Sequence, residues 1–157
     1  QLVVDGTAAT GVRPALVVAA GKLFVSSIDT HTIHALDAGS GKVLWSHATG
    51  GRVDTPPTFY RGALLFGCAD GHVRCLRAED GALAWQFRAA TDEKRIMAWE
   101  QLESAWPVHG SLLVRDGKVY CTAGRSSHLD GGIYIYALDP RSGKLVHETG
   151  LKAPNPT

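Results

Sequence analysis

The chain has 157 residues, 45% of them apolar and 20% charged, which is enough for a domain with a core and too apolar for a disordered segment. Its net charge of +1 argues against binding to nucleic acid or a membrane surface through a basic patch, and no apolar run approaches the ~18 residues of a membrane helix. The three cysteines, Cys68, Cys75 and Cys121, lack CxxC spacing, which argues against a zinc site or disulfide framework and leaves buried free thiols as the expectation.

In chain order, Gln1 to Gly6 has neither the basic start nor the apolar core of a signal peptide. Gln1 is not an initiator Met, so the natural start is expected upstream. An apolar strand, Gly21 to Val25, is followed by Ala35 to Trp45 (ALDAGSGKVLW). The pair recurs as Gly62 to Phe66 with Cys75 to Trp85, and again as Gly117 to Cys121 with Ala137 to His147. Leu36, Leu76 and Leu138 align, as do Gly41, Gly81 and Gly143. The first interval, Gly21 to Gly62, is 41 residues, and the second, Gly62 to Gly117, is 55. A period near 40 built from short strands is the signature of a β-propeller.

The second unit shows the four strands most plainly: Thr58 to Tyr60, Ala63 to Cys68, His72 to Arg77 and Ala82 to Phe87. Arg61-Gly62 and Asp70-Gly71 mark tight hairpin turns, where glycine accepts a positive φ, and Glu79-Asp80-Gly81 marks a wider one. Helical spacing is absent from these runs, so strand is the reading. The expected fold is all-β, a propeller of four-stranded antiparallel blades with about three blades present and the ring incomplete. Blade one covers about residues 14–48, blade two 55–88, an inserted cap 89–107, blade three 108–149 and a linker-like tail 150–157, which contains Asn155.

The run Ala35 to Trp45 resembles the tryptophan-docking motif of pyrroloquinoline-quinone (PQQ) type propellers, A-x-D-x-x-T-G-K-x-x-W, with Ser40 at the Thr position. The resemblance spans roughly residues 14 to 150. It implies that Trp45 and Trp85 each stack on the neighbouring blade. The second unit departs with Arg77 at the Asp position, and the third with His147 at the Trp position. Propellers typically close with 4–8 blades. The expected partners are therefore the remaining blades of the same chain or other copies, with the fragment reading preferred.

The additional residues of the longer interval fall in two places, about 88–107 and 124–132, at the same end of the blades. Two insertions elaborating one face read as a binding surface for a protein or small-molecule ligand. The first has helical flavour, with Thr91 or Asp92 as cap and Pro107 as terminator. On it, Trp99 and Trp106 are candidate ligand platforms and Arg95, Glu100 and Glu103 candidate polar contacts, against the plainer reading of aromatics packed over the blade. On the second, Arg125 suits a carboxylate or phosphate, and His128 and Asp130 are placed to orient each other. Arg125 in a structural salt bridge is the alternative. His109 is expected near the channel mouth.

No GxSxG, HExxH or P-loop motif occurs. Ser126, His128 and Asp130 sit too close on one hairpin for triad geometry. No catalytic, cofactor-binding or metal residue is therefore assigned, and no cofactor is expected in this segment. The preferred expectation is a noncatalytic scaffold or binding module of a larger protein, bacterial and periplasmic by resemblance. The alternative is a fragment of a PQQ- and calcium-dependent dehydrogenase. The resemblance implies for such enzymes a quinone between a Trp and, often, a disulfide of adjacent cysteines, with Ca²⁺ held by Glu, Asn and Asp. Here no two cysteines are adjacent, and Asn occurs only at Asn155. A sensor or enzyme-associated propeller is a third reading, equal to the first on these residues.

Overall fold

The computed structural model describes residues 15–154; residue 14 of the first expected blade, and the end of the tail with Asn155, lie outside them. Every regular element among the described residues is a strand. The first blade is β1 (Ala15–Ala19), β2 (Lys22–Ser27), β3 (Thr32–Asp37) and β4 (Val43–Ala48). The second is β5 (Thr58–Tyr60), β6 (Ala63–Gly67), β7 (His72–Arg77) and β8 (Leu83–Arg88). A separate hairpin, β9 (Arg95–Ala98) with β10 (Gln101–Ser104), precedes the third blade. That blade is β11 (Leu113–Arg115), β12 (Lys118–Ala123), β13 (Ile133–Leu138) and β14 (Leu145–Leu151). Each blade is an antiparallel meander with its strands in chain order, and three blades leave the ring open.

The middle blade is packed on both sides, and its sequence shows why. Along β6, Leu64 and Phe66 join Phe24, Ile33, Ala35 and Leu76 in the core against the first blade. Leu65 points the other way, into a second core with Val73, Cys75, Val119, Cys121 and Tyr136. A strand covered on both faces reads as an unbroken apolar run, here Ala63–Gly67, instead of an alternating one. By contrast, β14 is exposed along its whole length.

The tryptophans lock one blade to the next. Trp45 Nε1 donates to the Ala78 carbonyl at 3.2 Å, and Trp85 Nε1 to that of Pro140 at 2.9 Å. Each indole covers the glycine of the next blade's third turn, Gly81 or Gly143, so tightly that a β-carbon there would overlap it. Gly41, the equivalent residue of the first blade, has no such cover among the described residues. The three third turns share a backbone pattern, with a register shift at Ala35/Leu36, Cys75/Leu76 and Ala137/Leu138. Asp37 Oδ1 accepts from the Ser40 amide at 2.7 Å, and Asp139 Oδ1 from that of Ser142 at 2.9 Å. In the second blade, where Arg77 replaces that aspartate, Asp80 takes over: it pairs with Arg77 and accepts from the Ala82 amide at 3.0 Å.

The expected helix at 91–106 is not formed. These residues contain the β9–β10 hairpin, whose two turn residues, Trp99 and Glu100, have φ of 51° and 63°. Both central residues at positive φ is the turn whose twist suits a two-residue hairpin. The physical reason lies in the cross-strand pairs: Ile96 faces Glu103 on the protein side, while Met97 faces Leu102 on the solvent side. A helix would also have put Ile96 and Glu103, seven residues apart, on one face, but it would have turned Met97 and Leu102, five apart, to different sides.

Candidate functional site

The hairpin reaches residues from all three blades. Gln101 Oε1 lies 2.8 Å from His31 Nε2 in the first blade's second turn. The Ser104 amide donates to the Ala69 carbonyl of the second blade at 3.0 Å. Just before β9, Lys94 Nζ contacts Asp130 Oδ1 of the third at 2.5 Å. Close approach of the hairpin base needs Gly71, at φ 88°, because a β-carbon there would stand 2.6 Å from Ala90 Cβ and 2.9 Å from Ser104 Oγ.

Beneath the hairpin runs a chain of charges. Arg52, in the connection from β4 to β5, lies 2.7 Å from Glu103 Oε1 and also pairs with Asp54. Asp54 meets His109 Nδ1 at 2.8 Å. Burial pulls the Asp54 carboxyl upward, but the hydrogen bonds of His109 and Arg52 outweigh it and hold the group below its ordinary range. A second knot surrounds Asp130, which takes Lys94 on one oxygen and Arg125, at 2.5 Å, on the other. The Lys94 and Arg125 hydrogen bonds lower its pKa. Trp106 Nε1 donates to the Asp130 carbonyl at 2.8 Å, and Arg125 Nε to that of Ala105 at 3.4 Å. The two insertions are thus joined to each other.

The eight sequence candidates divide sharply. Trp99 stands 82% exposed at the hairpin tip, with Met97 and Leu102 exposed beside it. Arg95 and His128 are exposed, and His109 is half-buried on Asp54. Trp106 and Glu103 are only 6% and 3% exposed, which makes one a packed indole and the other half of an ion pair. Neither presents a broad surface. Arg125 sits in a salt bridge, and because its partner is Asp130, no bond joins Asp130 to His128. Sequence reasoning passed over Arg52, Asp54, Asp70 and His72, although charged residues in glycine-flanked connections (GGRVD and ADGH) were a usable signal.

The thiols of Cys68, Cys75 and Cys121 are buried, and burial pushes them up to about 12, 11 and 12, away from nucleophilic thiolate. The described residues do not assemble the quinone and calcium set implied for a dehydrogenase. The cysteines lie apart, the indoles of Trp45, Trp85 and Trp106 are committed to packing, and no described cluster of three His, Cys, Asp or Glu is placed to hold a metal. Among the described residues no helix is long and apolar enough to cross a membrane.

A family model described as outer membrane protein assembly factor BamB, of PQQ type, matches residues 5–157. The chain is 36% identical over 75 residues to the beta-alanine-activating enzyme of Drosophila melanogaster, covering 43% of this chain and 7% of that protein. It is 29% identical over 133 residues to the dehydrogenase subunit of a quinone alcohol dehydrogenase from Komagataeibacter europaeus, covering 78% and 17%. Its fold matches the crystal structure of quinohemoprotein alcohol dehydrogenase from Comamonas testosteroni with a TM-score of 0.72 at 22% identity, covering 89% and 21%. The chain therefore spans less than a fifth of these curated relatives.

Proposed function

This chain belongs to the PQQ-type repeat family described as outer membrane protein assembly factor BamB, and from that premise we propose that it is a noncatalytic scaffold or binding part of a longer propeller protein. The observation that carries the reading is the junction of the two insertions at Asp130, which fixes an elaborated face with Trp99, Met97 and Leu102 projecting from a braced hairpin. Bracing by backbone and side-chain contacts from three blades holds such a surface in one shape before a partner arrives, which lowers the entropic cost of binding. The other blades of the ring come from the rest of the same chain, with further copies as the second source. The compartment is the bacterial periplasm, in keeping with the family's description.

The alternative, a piece of a PQQ- and calcium-dependent dehydrogenase, draws on the similarity to the quinone alcohol dehydrogenase subunit. The two readings part on one experiment. Full-length protein is titrated with PQQ and Ca²⁺ while quinone absorbance and dye-coupled alcohol oxidation are followed. Absence of both saturable binding and turnover is the expected result. Calcium-dependent dye reduction would replace the scaffold reading with the dehydrogenase one.

A further inference from the structure

Where the second blade meets the third lies a groove of about 380 Å³, walled by Tyr60, Ala63, Cys75, Ala84 and Pro140. Small-molecule pockets are mostly apolar, with a few polar groups that fix orientation, and this volume is at the lower end of their range. Here the polar groups are two cations, Arg61 and Arg141. Arg61 is in the turn between β5 and β6, and Arg141 in the turn between β13 and β14. In an antiparallel meander both turns are at the end of the blades away from the inserted hairpin. All of the lining comes from the second and third blades, so both walls of the groove are in place.

The repeat shows that the fold does not need these cations. Arg61, with φ of 48°, stands where the first and third blades carry Ala20 and Asp116, both with φ of 49°. Arg141 stands where the second blade carries Glu79: in the two turns the Gly143 and Gly81 amides donate to the Asp139 and Arg77 carbonyls, each at 2.8 Å. The junction of the first and second blades therefore has Ala20 and Glu79 where this one has two guanidiniums. Neither guanidinium forms a salt bridge with a described residue. Asp139, close to Arg141 in sequence, uses its Oδ1 to accept from the Arg141 and Ser142 amides, at 2.9 Å each. Arg61 Cζ lies 5.3 Å from the centre of the Tyr60 ring, which holds that charge against the apolar wall. The planar fork of a guanidinium matches the two oxygens of a carboxylate. Both arginines are exposed, so charge alone would hold an anion weakly, and the apolar wall has to contribute. We infer that the groove between the second and third blades binds a small organic acid with an apolar body, its carboxylate held by Arg61 and Arg141.

The groove stands apart from the hairpin face, so its failure would leave the scaffold reading untouched. Saturation-transfer NMR is run on full-length protein with naphthoate as probe. Acetate, which lacks the apolar body, and naphthamide, which lacks the charge, are the comparators. Saturable binding of naphthoate, at least several-fold tighter than either comparator, is expected. The variants place in the groove residues that the chain already carries at the equivalent positions of other blades. Arg61→Asp combined with Arg141→Glu removes the charge-assisted hydrogen bonds and should weaken naphthoate by roughly tenfold or more. Its unfolding midpoint should stay close to that of wild type, since Asp116 and Glu79 occupy the same turns. Ala84→Leu, an exposed change matching Leu44, narrows the apolar wall and should weaken naphthoate several-fold. Should the double variant fail to fold, Ala84→Leu decides alone. No saturable naphthoate signal, equal binding of naphthamide or acetate, or unchanged binding in either folded variant would overturn the inference.

Discussion

Trp85 of the second blade covers Gly143 of the third and reaches past it to donate a hydrogen bond to the Pro140 carbonyl at 2.9 Å. Trp45 does the same to Gly81 and Ala78, whereas no described residue covers Gly41. Three glycines with φ of 72°, 74° and 69° thus differ mainly in what lies above them. Replacing each with alanine separates backbone strain from docking. Gly41→Ala should cost about 1–2 kcal/mol, the left-handed penalty alone. Gly81→Ala and Gly143→Ala add an overpacking cost of roughly 1–3 kcal/mol. Urea melts that rank all three equally would disprove the docking role.

Removing the indoles probes the same contact from the other side. Trp85→Ala should lose about 3–5 kcal/mol. Trp45→Ala should lose less, because Trp45 is only partly buried while Trp85 is 8% exposed. Equal unfolding midpoints for wild type and Trp85→Ala would refute the assignment.

Arg52 and Glu103 form a desolvated pair, 10% and 3% exposed at their side chains. Breaking it with Arg52→Met should cost about 3–5 kcal/mol, since a buried carboxylate is left without its cation. Arg52→Met combined with Glu103→Leu should recover most of the loss. A double variant as unstable as the single one would argue against an uncompensated charge as the cause.

Asp130 is the acid-sensitive part of the loop junction. Its folded pKa lies below the ordinary carboxylate value, through the hydrogen bonds of Lys94 and Arg125. The stabilisation is therefore complete above about pH 4, the unfolded value, and is lost as pH falls through the depressed folded pKa. Asp130→Asn keeps a residue that tolerates φ 52° and removes the charge. Amide exchange in β9 and β10 should quicken in this variant at neutral pH while the blade cores remain protected. Unchanged hairpin protection would show that the contacts of Gln101, Glu103, Ser104 and Trp106 suffice to hold it down.

The blades were legible from the sequence because their determinants are local. Turn glycines, strand alternation and the recurring leucine are all set within one repeat, and the exchange of Arg77 for Asp80 can be read within four residues. The inserted segment was not legible, because its determinants lie elsewhere in the chain. Glu103 is drawn inward by Arg52, which belongs to another connection, and His31 and Asp130 tie the hairpin to the first and third blades. Taken alone, Ile96, Trp99, Leu102 and Trp106 satisfy helical spacing. The same distance in sequence left Trp106 between ligand platform and packed aromatic: the partner that commits it to packing, the Asp130 carbonyl, is a backbone atom in a later loop.

The buried thiols give a simple chemical check. With Cys68, Cys75 and Cys121 pushed up to about 12, 11 and 12 by burial, native protein at pH 8 should react negligibly with a thiol reagent. Denatured protein should release all three. Rapid labelling of the native state would mean the blade cores open readily.

The tryptophan lock also gives each blade a valence, with one indole to offer and one glycine to receive it. The second blade has both satisfied. Gly41 of the first is covered by none of the described residues, while the third has its acceptor filled and carries an imidazole, His147, where the offered indole would be. A blade docked beyond the third would receive no indole from it, so that junction has to be held by other contacts, whether the blade belongs to the same chain or to another copy.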